Sequence, residues 1–375
     1  MTNWPKKEFE SVYEIPSRNG LSKPSRVRGS GYKMINMGEL FSNNRIYDID
    51  MELVPLTDAE KEKAKVEPGD LLFARQSLVA EGAGKCIIVM ETSELTVFES
   101  HIIRVRLNQK LADPLFYYYY FRSPASPMKT IVQHCVQAGI KASDLSKLEV
   151  VVPPLSEQQK IASVFNSIDA KIENNNRINQ NLQEQAFALF DHYFHSVIEG
   201  NNAIGDYITP KRGKNLLSKD AVPGEVPVVA GGLEPATYHN TANTSSPVVT
   251  ISASGANSGF VRLWNTPVWS SDSSYIDSTM TPNVYFWYVM LKKRQKEIYD
   301  SQTGSAQPHI YPQHIAVMPV DSLDDALIDK YTEQVTPLFR MIGANIDENK
   351  KLICLRDTLL PKLMSGELDV SEIEL

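Results

Sequence analysis

Val150-Val-Val-Pro-Pro-Leu-Ser-Glu-Gln-Gln-Lys-Ile-Ala162 joins an apolar, strand-like run to a long helical pattern, and this junction decides the fold. A comparable junction recurs later, where Ile315-Ala-Val-Met-Pro319 precedes a second long helical pattern. The segments Gln137-Ala-Gly139 and Gln302-Thr-Gly304 come shortly before the two junctions, so the chain repeats one arrangement. An internal repeat of this length indicates two similar globular units, each ending in a strand that leads into a long helix.

The repeat divides the chain of 375 residues into four segments, a length that accommodates two to three domains. We predict an α+β fold with a first domain over residues 1–153, called head 1, and a second over residues 201–320, called head 2. A central long helix over residues 154–200 and a C-terminal long helix over residues 321–375 complete the chain. The first helix carries the chain from head 1 to head 2 and the second brings it back, which predicts an antiparallel coiled coil.

Head 2 repeats the predicted strands of head 1 with different residues. A helix that begins at Asp113, with Pro114 at its first position, corresponds to residues 281–290 of head 2. The four tyrosines at residues 117–120 of this helix are predicted to pack in the core rather than to stack on bases. The expected strand counterparts are 71–74 with 247–252, 85–90 with 259–264, and 101–107 with 274–277.

Both long helices carry apolar residues at alternating steps of four and three, the spacing of a coiled-coil seam. Asn175 and Asn179 fall in the first seam, and Asn349 and Arg356 fall in the second. Asn175 aligns with Asn349 when the apolar residues are superimposed, and buried seam asparagines fix the register of paired helices. The predicted apolar positions are Ile161, Phe165, Ile168, Ile172, Leu182, Ala186, Leu189 and Tyr193, followed by Val335, Phe339, Ile342, Ile346, Ile353, Leu360 and Leu363.

The net charge of −7 is distributed unevenly along the chain. Residues 1–153 and 200–320 each carry a net charge of +1, whereas the helical segments 154–199 and 321–375 carry −3 and −6. Because the acidic excess belongs to the helices, the heads can still present a basic face to a nucleic acid.

The cysteines and the apolar runs indicate a cytoplasmic protein. Cys86, Cys135 and Cys354 show no spacing typical of metal sites or disulfides, so we predict three buried thiols and no metal site. No apolar run approaches the roughly 18 residues of a membrane span. The N-terminal residues 1–7 lack the apolar core of a signal peptide, and no membrane contact is expected.

The first junction and both helices resemble the specificity subunit of type I restriction-modification enzymes. The resemblance rests on residues 150–162 quoted above, on Phe165-Asn-Ser-Ile-Asp-Ala-Lys-Ile172 and on Leu355-Arg-Asp-Thr-Leu-Leu-Pro-Lys-Leu-Met-Ser-Gly-Glu-Leu368. In that family these are the central and C-terminal shared regions, and the order of target-recognition domain, helix, target-recognition domain and helix covers this whole chain. The second junction departs from the pattern, since it reads Met318-Pro-Val-Asp-Ser-Leu323 in place of Pro-Pro-Leu-Ser-Glu-Gln.

The resemblance implies a DNA-reading subunit that is not itself an enzyme. Its partners would be double-stranded DNA and two methyltransferase subunits, and S-adenosylmethionine would bind to those subunits and not to this chain. Whether restriction or translocase subunits join the complex is left open. The sequence is consistent with this expectation. It contains no Asn/Asp-Pro-Pro-Tyr/Phe motif for adenine methylation, no Phe-x-Gly-x-Gly loop for S-adenosylmethionine and no Gly-x-x-x-x-Gly-Lys-Ser/Thr phosphate loop.

Two other classes of function stay open at the level of sequence. One is a nuclease or methyltransferase whose catalytic residues follow no recognisable motif. The other is a coiled-coil scaffold that binds only protein. Cleavage or labelling of a plasmid by the purified chain would favour the first. Unchanged DNA affinity after alanine substitution of Arg26 and Arg28 would favour the second.

Candidate DNA contacts are basic and small polar residues on loops, because Lys and Arg bind phosphates while Arg, Asn, Gln and Ser read base edges. The loops at Arg75 and Ser254 follow strands predicted to be equivalent, which favours both. The candidates in head 1 are Arg18, Lys23, Arg26, Arg28, Lys33, Arg75, Gln76 and Lys141. The candidates in head 2 are Lys211, Arg212, Lys214, Asn215, Ser254, Asn257, Gln302 and Gln307.

Overall fold

A computed structural model of the chain describes residues 4–78, 82–134, 138–195, 197, 199–304 and 307–368. The chain divides into two compact units. Unit 1 comprises Met1–Ile172 with Lys351–Leu375, and unit 2 comprises Glu173–Lys350. Each unit combines a head of mixed strands and helices with parts of two long helices, which confirms the predicted α+β fold.

The first half of the chain alternates short strands with short helices before a helix of 39 residues. Its elements are β1 (Lys6–Glu8), β2 (Tyr13–Asn19), β3 (Tyr32–Ile35), α1 (Met37–Ser42), β4 (Arg45–Ile46), β5 (Glu52–Val54), α2 (Asp58–Ala64), β6 (Leu71–Ala74), β7 (Gln76–Ser77), β8 (Cys86–Val89), β9 (Thr96–Phe98), β10 (Ile102–Leu107), α3 (Pro114–Arg122), β11 (Gln133–His134), β12 (Ala138–Gly139), α4 (Ala142–Ser146), β13 (Glu149–Val151) and α5 (Leu155–Tyr193).

The second half follows a similar plan and ends in a helix of 40 residues. Its elements are β14 (Asn202–Ala203), β15 (Lys211–Arg212), β16 (Val226–Val229), β17 (Thr237–His239), β18 (Val248–Ser252), β19 (Val261–Trp264), β20 (Trp269–Ser270), β21 (Ser273–Asp277), α6 (Val284–Lys293), α7 (Gln295–Asp300), α8 (Pro312–Ala316), β22 (Pro319–Val320) and α9 (Asp325–Met364).

The largest sheet of each head is built on the same strand order. In head 1 the order is β2-β10-β6-β8-β4, and in head 2 it is β15-β21-β18-β19. The central strands β6 and β18 each pair antiparallel with both neighbours, and every residue in them is buried. The order confirms the predicted counterparts, in which β6, β8 and β10 correspond to β18, β19 and β21. Head 1 adds β4, which runs parallel to β8.

The predicted correspondence of Gly139 with Gly304 is wrong. Gly139 pairs with Gln76, directly after β6. The residue that occupies this place after β18 is His309, which forms a bridge with Ser254. His309 follows the helix N-cap Asn283 by 26 residues, and Gly139 follows the helix N-cap Asp113 by the same number, so the two heads have equal spacing up to this bridge. The prediction failed because a Gln-x-Gly triplet occurs at non-equivalent places in the two loops.

Local capping and burial explain why helix α3 lies in the core of head 1. Asp113 Oδ1 accepts a hydrogen bond from the Phe116 amide at 2.9 Å, and Pro114 occupies the first turn, as predicted. The four tyrosines at residues 117–120 are at most 3% exposed. They pack against neighbouring aromatic rings, which confirms that their role is in the core and not in stacking on bases.

Within unit 2, asparagine side chains pair across the antiparallel helices α5 and α9. Asn175 Nδ2 donates to Asn349 Oδ1 at 2.9 Å, and Asn345 Nδ2 donates to Asn179 Oδ1 at 2.8 Å. Asn349 Nδ2 in turn donates to Asn176 Oδ1 at 2.9 Å. A shift of one helix along the other would leave these amides without partners, so the pairs fix the register as predicted.

Part of the predicted seam of α9 is wrong. Ile346 and Ile353 are 43% and 39% exposed, although they occupy seam positions in the heptad pattern. Asn345 and Leu352, one residue earlier in each case, face the partner helix instead. The hydrogen bond from Asn345 to Asn179 is consistent with this rotation of α9, and a hydrophobic pattern alone does not contain that information.

The cysteine predictions have different outcomes. Cys86 is buried in head 1, and burial raises the pKa of its thiol. Cys354 is exposed on α9, so the prediction that it is buried is wrong. Cys135 lies outside the described residues. Across the described ranges, no group of three or more His, Cys, Asp or Glu side chains could hold a metal ion. No helix in those ranges is both long and apolar enough to cross a bilayer.

Candidate nucleic-acid interface

One edge of the head 1 sheet collects the ends of several strands. Strands β2 and β6 finish there, where Asn19 pairs with Ile103 and Ala74 pairs with Ile102. Strands β8 and β10 begin at the same edge because they are antiparallel to β6. Loops leaving this edge carry many of the predicted contact residues, so we call it the loop edge of head 1.

Two predicted loops meet at the loop edge of head 1. Gln76 pairs with Gly139 through β7 and β12, and the Ile140 amide donates to the Arg75 carbonyl oxygen at 2.9 Å. Lys141 follows and is exposed. The structure therefore brings the Arg75 loop and the Lys141 loop together, although 65 residues lie between Arg75 and Lys141 in the sequence.

Several basic side chains in residues 18–33 already bind acidic groups of head 1. Lys23 Nζ lies 2.8 Å from Glu60 Oε1. Lys33 Nζ lies 2.6 Å from Asp48 Oδ1, and this hydrogen bond raises the pKa of Lys33. These pairs reduce the positive charge that the segment presents to a phosphate.

Arg28 and Arg26 have different environments although they are two residues apart. The Arg28 guanidinium donates to the Lys23 carbonyl at 2.8 Å, to Asn36 Oδ1 at 3.3 Å and to Glu52 Oε2 at 2.6 Å. Arg26 is exposed, and its side chain makes no hydrogen bond or ion pair with another described residue. Arg28 thus holds the segment in place, while Arg26 is available for a ligand.

Half of the predicted contact residues are, like Arg26, available to bind a ligand. Their polar side chains make no hydrogen bond or ion pair within the described part of the chain, so a nucleic acid can bind them without breaking an internal contact. The available residues are Arg26, Gln76, Lys141, Lys211, Lys214, Asn215, Asn257 and Gln307. Among the others, Arg18 donates to the Lys63 carbonyl at 3.0 Å and Arg75 to the Ser100 carbonyl at 3.4 Å.

Head 2 has an equivalent loop edge, formed by the ends of β15 and β18 and the start of β21. Arg212 of β15 pairs with Ser274 of β21. The chain then passes close to Ser270, whose carbonyl accepts from the Lys214 amide at 2.9 Å. Gly213 permits this approach, because a Cβ atom there would lie 2.4 Å from the Ser270 carbonyl oxygen.

A carboxylate lies at the centre of the loop edge of head 2. Asp272 Oδ1 accepts from Arg212 Nη2 at 2.6 Å, and Asp272 Oδ2 accepts from the Ser254 hydroxyl. Gln302 Nε2 donates to the Ser258 carbonyl at 2.6 Å and so joins the loop after α7 to the loop after β18. The edge combines an exposed guanidinium with hydroxyl, amide and lysine side chains, which are the groups that bind phosphates and base edges.

The sequence prediction missed three residues at the two loop edges. Asn19 ends β2, and His101 and Asp272 stand directly before β10 and β21. Each lies beside a predicted contact residue only because of strand pairing, which joins positions far apart in the sequence. His101 begins a predicted strand and Asp272 lies two residues before another, whereas no predicted strand marks Asn19.

The first half of the chain matches a known protein family. Residues 1–184 match the family model described as "Type I restriction modification DNA specificity domain". The match covers head 1 and most of α5.

Relatives extend the similarity over the rest of the chain. The chain is 24% identical to a putative type I specificity subunit of Mycoplasma pneumoniae, over 96% of both chains. It is also 24% identical to the type I restriction enzyme MjaIX specificity subunit of Methanocaldococcus jannaschii, over 70% of both. The solved structure of a type I restriction-modification S subunit from M. genitalium has the same fold, with a TM-score of 0.64 and 19% identity over 96% of both chains.

Proposed function

The chain belongs to the family of type I restriction-modification specificity subunits, and from this premise we propose that it reads a bipartite DNA target. Each head would bind one half-site, and a gap of non-specific sequence would separate the two. The chain would supply recognition, while the reaction takes place on partner subunits.

One observation supports two different half-sites. The heads share the strand order of their sheets, yet their loop edges carry different side chains. Arg75 and Gln76 follow β6, whereas Ala253 and Ser254 follow β18. In direct readout the DNA sequence is recognised by side chains that contact base edges, and here many of the candidate side chains lie on loops at the loop edges of the heads. Two such surfaces on one scaffold favour an asymmetric target rather than a palindrome.

The experiment that tests this function is methylome sequencing of cells that carry the chain together with a methyltransferase subunit of the same system. We expect one asymmetric, bipartite motif that disappears when the chain is absent. Replacement of the loops of head 2 should alter one half of the motif and leave the other half unchanged. A palindromic motif, or a motif that does not depend on the chain, would contradict the proposal.

We also propose that two methyltransferase subunits dock on the long helices. Helix α9 exposes large apolar side chains to solvent, among them Met341 at 52% and Leu355 at 48%. Such exposure on a helix favours a protein partner. The repeat of head and helix gives each partner a comparable place, and S-adenosylmethionine would bind to these partners.

The chain alone is proposed to be inactive. Incubated with plasmid, Mg²⁺ and S-adenosylmethionine, it should neither cleave nor methylate DNA, and the complex with methyltransferase subunits should methylate. Labelling or cleavage by the isolated chain would support the alternative of an enzyme with unrecognised motifs.

Arg26 provides a test of DNA contact in head 1. We expect Arg26→Ala to weaken binding of the complex to every DNA sequence and to reduce the slope of log affinity against log salt by about 0.9, because one phosphate contact is lost. The measurement is a salt titration of binding to target and non-target duplexes.

Lys110→Ala serves as the matched control for Arg26→Ala. Lys110 is an exposed residue beyond the end of β10 that lies opposite the loop edge, so its loss removes the same charge from the other end of the sheet. Its salt slope should equal that of the unmodified chain. Equal effects of the two substitutions would show that only overall charge matters and that Arg26 makes no specific contact.

A further inference from the structure

The loop edges of the two heads can be compared residue by residue, because strand pairing defines equivalent positions. The first position is the last residue of the outer strand. Asn19 ends β2 and pairs with Ile103, the second residue of β10. Arg212 ends β15 and pairs with Ser274, the second residue of β21. Asn19 and Arg212 are therefore equivalent.

The second position directly precedes the middle strand. The His101 carbonyl accepts from the Arg75 amide at 2.8 Å, at the end of β6. The Asp272 carbonyl accepts from the Ala253 amide at 3.1 Å, at the end of β18. His101 of head 1 and Asp272 of head 2 thus occupy the same place.

The third position follows the central strand. Gln76 is the second residue after β6, and Ser254 is the second after β18. Gln76 pairs with Gly139, and Ser254 bridges to His309. Each therefore contacts the segment that follows the helices of its own head. The three positions carry Asn, His and Gln in head 1 and Arg, Asp and Ser in head 2.

In head 2 the Asp272 side chain contacts both of the other two side chains. Asp272 accepts from Arg212 and from Ser254, and the Arg212 and Asp272 side chains are 42% and 32% exposed. An ion pair this exposed adds only about 0–1 kcal/mol to stability. Its main consequence is therefore to orient the guanidinium, which would otherwise sample many rotamers.

The orientation leaves most of the guanidinium available. Arginine has five N–H donors, and among the described residues only Asp272 accepts from Arg212. The planar fork of donors matches the O6 and N7 acceptors of guanine, which is the commonest specific contact in the major groove. Ser254 holds the other carboxylate oxygen and thereby fixes the direction in which the fork points.

We propose that Arg212, oriented by Asp272, reads a guanine in the half-site of head 2. The inference rests on the proposed function and specifies the base that one head recognises. Head 1 has Asn19 at the equivalent position, so the guanine read in this way belongs to one half-site only.

The test uses the full chain in complex with methyltransferase subunits and its methylome-derived target. Each guanine is replaced in turn by 7-deazaguanine, which lacks the N7 acceptor, and binding is measured for the unmodified chain and for Arg212→Ala, Arg212→Lys and Asp272→Asn. We expect one guanine in one half-site to be sensitive. Loss of a bidentate contact should lower the preference for guanine over other bases at that position by about tenfold or more.

The variants separate base reading from a role in folding or in phosphate binding. Arg212→Ala should become insensitive to 7-deazaguanine, Arg212→Lys should keep overall affinity but lose discrimination, and Asp272→Asn should lie between. Lys211→Ala, the neighbouring control, should weaken all sequences equally. If the unmodified complex prefers its target and Arg212→Ala retains the full preference at every guanine, the inference is wrong. If the unmodified complex shows no sequence preference, the proposed function itself fails.

Discussion

Replacement of Asp169 by alanine should lower the free energy of unfolding of unit 1 by about 3–5 kcal/mol. Asp169 on α5 is 11% exposed and binds groups from three other elements. Its Oδ2 lies 3.3 Å from Arg45 Nη2 of β4 and accepts from the Tyr119 hydroxyl of α3 at 2.8 Å. Its Oδ1 accepts from Arg356 Nη1 of α9 at 3.0 Å.

The size of the effect follows from what the alanine leaves behind. The Arg45 side chain is 3% exposed, so without the Asp169 carboxylate its guanidinium stays in a nearly dry site and loses a charged hydrogen-bond acceptor there. Removal of one partner from a buried pair costs much more than the pair contributes, because the other partner keeps its desolvation penalty. Leucine at this position would not avoid the cost, since Arg45 would still be charged.

Asp357→Ala is the matched control. Asp357 also binds Arg356, at 2.9 Å, but its side chain is 59% exposed, so we expect a change of about 0–1 kcal/mol. The measurement is hydrogen exchange of the α3 amides together with urea denaturation, because hydrogen exchange reports the local stability of α3 in a chain of two compact units. Equal protection of α3 in both variants would contradict a structural role for the Asp169 network.

Features controlled by neighbouring residues could be predicted from the sequence. The N-cap at Asp113 and the core role of residues 117–120 depend on spacing within one helix. The strand counterparts of the two heads follow from runs of apolar residues. Such patterns are local, and the physical preferences behind them act over a few residues.

Features that depend on distant partners could not be predicted. Lys23 and Lys33 look available in a basic segment, yet Glu60 and Asp48 fold back to pair with them. Asp272 joins the candidate site only through cross-strand register, which a single sequence does not reveal. For this reason, charge runs overestimated the free positive charge of head 1.

Removal of one heptad from both long helices should shorten the gap between the two half-sites. The proposed deletion takes residues 173–179 from α5 and 345–351 from α9. Seven residues correspond to about 10 Å of helix, which is on the order of three base pairs of DNA. A whole heptad also restores the apolar seam on each side of the deletion, so helix pairing can continue.

The paired deletion gives a clearer test than a deletion from α5 alone, because it removes together the asparagines that bind one another across the two helices. With only 173–179 removed, Asn345 and Asn349 would lose their partners on α5, and we expect reduced stability and poor assembly. The paired variant should instead assemble and select a target with a shorter gap, measured on duplexes whose gap is varied one base pair at a time. An active complex with an unaltered gap would show that the helices do not set the spacing. Because both half-sites should keep their sequences, the experiment also separates the spacing set by the helices from the recognition by the heads.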